Sequence, residues 1–230
     1  MPAHLATLTG PSADPASGGP ARQLVVLLHG VGANGADLIE LAPYFGPALP
    51  DAAFVAPDAP FPYDMAPFGR QWFSLQDRSV AAMAAGIRAA APIVDAFIDR
   101  ELERRGLTDA DLAIAGFSQG TMMALHVGPR RARPCAAIVG FSGALLEPEA
   151  LPGQLRSRPR TLLVHGADDE VVNPACLPHA ERALAAVGIP VLAELRPGLG
   201  HSIDGHGVGL AVAFLRQAFG LGDCPDVTED

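Results

Sequence analysis

The pentapeptide Gly116-Phe117-Ser118-Gln119-Gly120 limits what this chain can fold into more than any other segment. Leu112-Ala113-Ile114-Ala115 before it reads as a short buried strand, and Thr121 to His126 after it as the first turns of a helix. A serine on so abrupt a strand-to-helix turn is lifted clear of both elements. The flanking glycines suit a tight turn with other backbone passing close by. Five residues of this pattern arise by chance; the strand before and the helix after give it weight.

The rest of the chain supplies the sheet and helices that such a turn needs. Leu24 to Leu28 is a continuous apolar run and reads as a buried parallel strand. Further strands are expected at Phe54 to Ala56, Cys135 to Gly140, Thr161 to Val164 and Val191 to Leu195. Helices are expected at Asp37 to Leu49, broken near Pro43, at Ser79 to Arg105 with Gly106 as its stop, at Pro174 to Val187, and at Ile203 to Phe219. Asp58 to Arg78 is a proline- and aromatic-rich loop holding the only tryptophan. Strands alternating with helices imply an α/β fold, a mostly parallel sheet with helices on both faces. The connection from Phe141 to Arg160 is too short for a large cap domain. Residues 1–21 read as a flexible N-terminal arm, 22–219 as the folded domain and 220–230 as an acidic tail.

Composition removes several classes of function. The chain is 49% hydrophobic with a net charge of −9, and all 16 of its basic residues are arginine. Without lysine there is no Walker-type phosphate loop, no Schiff-base lysine and no Ser–Lys dyad. The acidic balance argues against a nucleic-acid partner. Cys135, Cys176 and Cys224 are too dispersed for a disulfide framework, and no His/Cys/Asp spacing resembles a metal site. We expect no metal and no cofactor, and reduced thiols in a cytoplasmic protein. Met1 to Gly19 lacks the basic start and apolar stretch of a secretory signal. The uncharged run Leu112 to Pro129 divides into strand, turn and helix, so no stable membrane insertion is expected there.

A serine hydroxyl is a weak nucleophile and needs a base, which in turn needs an orienting acid. On a strand–turn–helix elbow the chain order is serine, acid, histidine. Asp168, Asp169 and Glu170 follow the strand Thr161–Val164, and position favours Asp169 without removing Asp168. His201 follows the strand Val191–Leu195 at a loop tip, whereas His206 falls within the closing helix. Both Asp169 and His201 lie just past strand C-terminal ends, where open α/β sheets place their sites. His4, His126, His165 and His179 read as structural or surface residues. An acyl-transfer intermediate needs two N–H donors for its oxyanion. Gln119 supplies one, and the loop His29 to Gly35 the other.

That loop also carries a rival reading. Gly30-x-Gly32-x-x-Gly35 matches a dinucleotide fingerprint, with Asp58 ending the next strand at a suitable distance. On that reading the protein is an oxidoreductase, and Ser118, Asp169 and His201 have no role. A third possibility is a protein of the same fold that has lost catalysis and only binds.

Taken together, Leu28-His29-Gly30-Val31-Gly32, Gly69-Arg70-Gln71-Trp72-Phe73, the elbow, His165-Gly166-Ala167-Asp168-Asp169 with Val172, and Gly200-His201 resemble the phospholipase/carboxylesterase family of α/β-hydrolases. This family includes the acyl-protein thioesterases, and Gly32 to Asp37 is more similar to its bacterial carboxylesterase branch. The resemblance implies a serine carboxylesterase acting on ester, thioester or lysophospholipid bonds, with Ser118, Asp169 and His201 as its triad. It implies that Val31 supplies the second oxyanion N–H and that Trp72 and Phe73 line an acyl pocket, whereas the residues by themselves read as ordinary core aromatics. It also implies a small-molecule ester as partner, and a homodimer as the common assembly.

Overall fold

The apolar runs become strands of one sheet in the computed structural model, which describes residues 6–222. In chain order the strands are β1 (Ser12–Ala13), β2 (Gln23–Leu28), β3 (Ala52–Val55), β4 (Phe61–Pro62), β5 (Arg70–Gln71), β6 (Leu112–Phe117), β7 (Ala137–Phe141), β8 (Arg160–Gly166) and β9 (Val191–Arg196). Seven of them form the main sheet in the order β1-β3-β2-β6-β7-β8-β9, while β4 and β5 form a separate antiparallel ribbon. Every pair in the main sheet is parallel except β1 with β3.

The helices are α1 (Gly35–Ile39), α2 (Ala42–Phe45), α3 (Val80–Arg105), α4 (Gln119–Val127), α5 (Leu151–Gln154), α6 (Cys176–Ala186) and α7 (Gly205–Ala218). Strand side chains alternate between faces, so β2 feeds two cores. Leu24, Val26 and Leu28 pack with Ile87, Val94 and Ile98 of α3, Met123 and Leu125 of α4 and Leu184 of α6. Val25 and Leu27 pack with Leu38 of α1, Phe45 of α2 and Ala211 and Leu215 of α7. The continuous apolar reading of Leu24–Leu28 therefore reflects burial on both sides. Ser79 caps α3 by accepting from the N–H of Ala82 at 3.3 Å, and Gly106 ends it at φ 66°.

The chain leaves β2 for β3 on one side, and β6 then takes the place on the other side. The loops after β2 and β6 thus meet at a reversal of strand order, where ligands of open α/β sheets bind. The connection from β7 to β8 holds only the short helix α5.

The N-terminal arm differs from its expectation. Leu8 is buried, Ser12 and Ala13 pair with Val55 and Phe54, and Ala56 and Asp58 donate their N–H groups to Pro11 O and Thr9 O at 3.0 and 2.8 Å. The unpaired edge of β3 supplies backbone donors and acceptors that this segment satisfies, a main-chain interaction that side-chain composition does not reveal. Most of the acidic tail, from residue 223 onward, lies outside the described residues.

Candidate active site

Ser118 stands between β6 and α4 with φ 54° and ψ −116°, a conformation that L-residues rarely adopt. Close packing holds it there. A Cβ on Gly120 would fall 1.7 Å from Leu28 O, and one on Gly116 would fall 2.4 Å from Gly120 itself, so neither place admits a side chain. The N–H of Ser118 donates to Phe141 O at 2.9 Å. The hydroxyl of Thr121 lies 2.7 Å from Gly116 O and 2.8 Å from Phe141 O, tying the first turn of α4 to β6 and β7. Every residue of α4 is buried.

The turn after β8 settles which acid faces the histidine. Asp168 and Glu170 are exposed, whereas Asp169 is 5% exposed. Asp169 Oδ2 lies 2.7 Å from His201 Nδ1, and Oδ1 accepts the N–H groups of Val171 and Val172, each at 2.9 Å. His165 Nε2 lies 3.2 Å from Oδ2 as well. Burial by itself would raise the Asp169 pKa, but the His201 contact and the two amides outweigh it and hold the carboxyl below its usual range. The His201 ring sits beside Phe117, with centroids 4.8 Å apart, which brings it to the elbow. Among the described residues Ser118 Oγ makes no hydrogen bond, a looseness common before substrate arrives. His206 is instead 3.7 Å from Glu194 and half exposed, away from the turn.

The loop after β2 closes the other side. Gly30 packs against Ser118, where an added Cβ would be 3.3 Å from the serine Cβ. The N–H groups of Val31 and Gln119 donate to no acceptor among the described residues. This loop is braced by residues that sequence reasoning missed. Ala59 donates its N–H to His29 Nε2 at 3.0 Å, so the ring proton is on Nδ1, which donates to Gly30 O at 2.7 Å. Burial keeps the His29 pKa below its ordinary value. Gly32 N–H donates to Arg70 O and Arg70 N–H to Ala33 O, both at 2.8 Å. The Arg70 guanidinium donates in turn to Ala59 O and Pro60 O. No sequence pattern announces these contacts, because they join loops far apart in the chain.

Trp72 and Phe73 require a correction. Both were expected to line an acyl pocket, but Trp72 is 0% and Phe73 3% exposed, inside the core beneath the elbow. The Trp72 indole donates to His29 O at 2.8 Å. The Gln119 side chain spans the same segment, accepting from Trp72 N–H at 2.9 Å and donating to Phe73 O at 2.8 Å. Trp72 N–H, its indole N–H and Phe73 O are thus engaged in holding the site together. An open cleft lies elsewhere, and of its lining Cys176 feels the charge of Asp169. It measures about 360 Å³ and is lined mainly by Ala144, Leu145, Leu146 and Pro148 after β7 and by Asn173, Ala175, Cys176 and His179. Gly143, the chain neighbour of Ala144, passes close to the elbow: an added Cβ there would lie 2.9 Å from Ser118 O.

The dinucleotide reading fails on the same geometry. Helix α1 is only five residues long, and its first N–H groups are already taken: Gly35 donates to Asp58 Oδ1 at 2.8 Å, and Ala36 and Asp37 donate to Asn34 Oδ1. The Asp58 carboxylate sits where a pyrophosphate would. Among the described residues no group of His, Cys, Asp and Glu side chains gathers to hold a metal ion.

Comparison with known proteins agrees with this geometry. A family profile described as Phospholipase/Carboxylesterase matches residues 15–219. Esterase YpfH of Escherichia coli (strain K12) is 31% identical over 197 residues, spanning 86% of this chain and 83% of that protein. Carboxylesterase SOBER1 of Arabidopsis thaliana is 27% identical over 202 residues, 80% of this chain and 85% of its own length. The crystal structure of esterase PE8 superposes with a TM-score of 0.89 at 41% identity, covering 93% of this chain and all of the other. With a serine elbow, an aspartate–histidine pair and a profile match across nearly its whole length, the chain belongs to the phospholipase/carboxylesterase family and is an ester-hydrolysing enzyme of the α/β-hydrolase fold.

Proposed function

We propose that the enzyme is a serine carboxylesterase that works through an acyl-enzyme on Ser118. The observation that carries this is the buried Asp169 carboxylate, 2.7 Å from His201 Nδ1, on the loop facing the Ser118 elbow. With Nδ1–H donated to Asp169, the Nε2 of His201 is left as the base. His201 takes the hydroxyl proton as Ser118 Oγ attacks the acyl carbon, and the ester C=O becomes an oxyanion. The N–H groups of Val31 and Gln119 receive that charge. His201 then gives its proton to the departing alkoxide. Water attacks the acyl-serine with His201 again as base, and the carboxylic acid leaves. Asp169 keeps the imidazole in one tautomer and stabilises its charged form throughout.

For the acyl chain we propose the cleft between Leu145–Leu146 and Cys176. Its walls are mostly apolar, and about 360 Å³ suits a short to medium chain. Esters of varied alcohols, thioesters and lysophospholipids all present the carbonyl that this constellation attacks. A cytoplasmic location and a homodimer complete the reading. The test is hydrolysis of p-nitrophenyl esters by Asp169→Asn and Asp168→Asn variants. The first is expected to lose up to about four orders of magnitude in kcat, as an orienting aspartate does, and the second to stay near wild type. A dead Asp168→Asn variant, or equal mild losses, would assign the acid elsewhere.

A further inference from the structure

Val31 and Gln119 stand on loops far apart in the chain, one after β2 and one at the elbow. The Gln119 side chain connects them. It is 0% exposed at the start of α4, and its amide reaches the residues that follow β5. Oε1 accepts the N–H of Trp72 at 2.9 Å, and Nε2 donates to Phe73 O at 2.8 Å. An acceptor facing an N–H and a donor facing a carbonyl fix the amide in one orientation. The segment it grips holds the Val31 loop on both sides of Val31. Before it, His29 O accepts the Trp72 indole N–H at 2.8 Å. After it, Gly32 N–H donates to Arg70 O and Arg70 N–H to Ala33 O, both at 2.8 Å. A methionine would fill a similar length without the cost of burying an amide. What the amide adds is this pair of bonds.

We propose that the Gln119 side chain is a positioning group for the oxyanion hole: by gripping Trp72 and Phe73 it sets the distance between the Gln119 N–H on the elbow and the Val31 N–H on the facing loop. One residue thus supplies a donor through its backbone and places the other donor through its side chain. This rests on the reading of Ser118 as the nucleophile and of these two N–H groups as the oxyanion donors. The amide bonds neither Asp169 nor His201, so its effect falls on the oxyanion and not on the base.

Gln119→Met keeps the backbone N–H and the length of the side chain but loses both bonds. It is expected to lower kcat on a p-nitrophenyl ester by about 100-fold, as a misplacement of about 1 Å does, with little change in KM. The second readout is a trifluoromethyl ketone. Ser118 Oγ adds to its carbonyl carbon, the hydroxyl proton passes to His201, and the oxyanion stays between the two N–H groups with nothing departing. Its affinity should fall by the same factor as kcat/KM, and the acid limb of kcat/KM should stay in place. If the methionine variant does not fold, Trp72→Phe, which breaks the indole bond to His29 O, replaces it; the same pattern is expected with a loss of about 10-fold, the equivalent of one hydrogen bond. A folded variant with wild-type kcat and ketone affinity would overturn the proposal. So would a loss confined to KM with the ketone affinity retained, or a displaced acid limb, which would put the effect on His201 and Asp169. A Ser118→Ala variant that bound the ketone as tightly as wild type would instead overturn the reading of Ser118 as the nucleophile.

Discussion

Trp72→Ala should empty a place in the core and leave the acyl preference alone. The indole is fully buried, and its N–H is the hydrogen bond to His29 O at 2.8 Å. Truncating a buried tryptophan costs about 3–5 kcal/mol. Stranding the His29 carbonyl adds about 1–3 kcal/mol. A domain of this kind has about 5–15 kcal/mol in all, so the variant should sit close to unfolding. Trp72→Phe keeps most of the volume and should lose mainly the hydrogen bond, about 1–3 kcal/mol. Because His29 and the Gln119 side chain also meet this segment, activity should fall by a similar factor on every ester. Urea unfolding reads the first effect as a lower midpoint at constant slope. A series of acetate, butyrate and octanoate p-nitrophenyl esters reads the second. A folded Trp72→Ala protein with a near wild-type midpoint and a selective gain on octanoate would refute the reasoning and return the indole to the acyl site.

Two further outcomes follow from the same structure. His126 is buried on α4, and burial, with help from Arg130 and Arg88, pushes its pKa from 6.5 down to about 4. The unfolded chain therefore binds a proton that the folded protein rejects, and stability present above pH 6.5 is lost as pH falls toward 4. Between pH 7.5 and 5 this amounts to about 2 kcal/mol; His126→Leu should flatten that part of the urea-derived profile, and an unchanged profile would assign the loss elsewhere. Leu146→Trp should fill the cleft and lower kcat/KM for longer esters relative to acetate, by about 1–3 kcal/mol for each methylene that the indole displaces. An unaltered chain-length profile would remove that cleft from the acyl site.

How far the sequence could be read depended on whether a feature was local. The elbow was legible because a strained serine needs small neighbours, and Gly116 and Gly120 announce them beside it in the chain. Leu24–Leu28 was legible because burial on both faces leaves no polar interruption. The choice between Asp168 and Asp169 rested on one residue of register, which the buried and exposed sides of the turn after β8 now separate. Trp72 and Phe73 by themselves read as core aromatics and only the resemblance moved them to a pocket; the closure of Gln119 onto both holds them in the core. The cleft of Leu145, Leu146 and Cys176 was invisible because two loops distant in sequence build it. The arm at Leu8 to Ala13 was missed because its attachment runs through backbone atoms. His165 reads as structural or surface, and it is structural: its buried ring ties the end of β8 to Val172 O at 2.9 Å.

The most direct test of the central claim is to find the nucleophile. The wild-type enzyme, treated with a fluorophosphonate and digested, should carry a single adduct on Ser118 by mass spectrometry. Ser118→Ala should carry none and lose several orders of magnitude in turnover. Its unfolding midpoint should not fall, because alanine meets the same backbone at φ 54° and the hydroxyl makes no hydrogen bond among the described residues. An adduct on another residue, or normal turnover by the folded alanine variant, would contradict the assignment of Ser118 as the nucleophile.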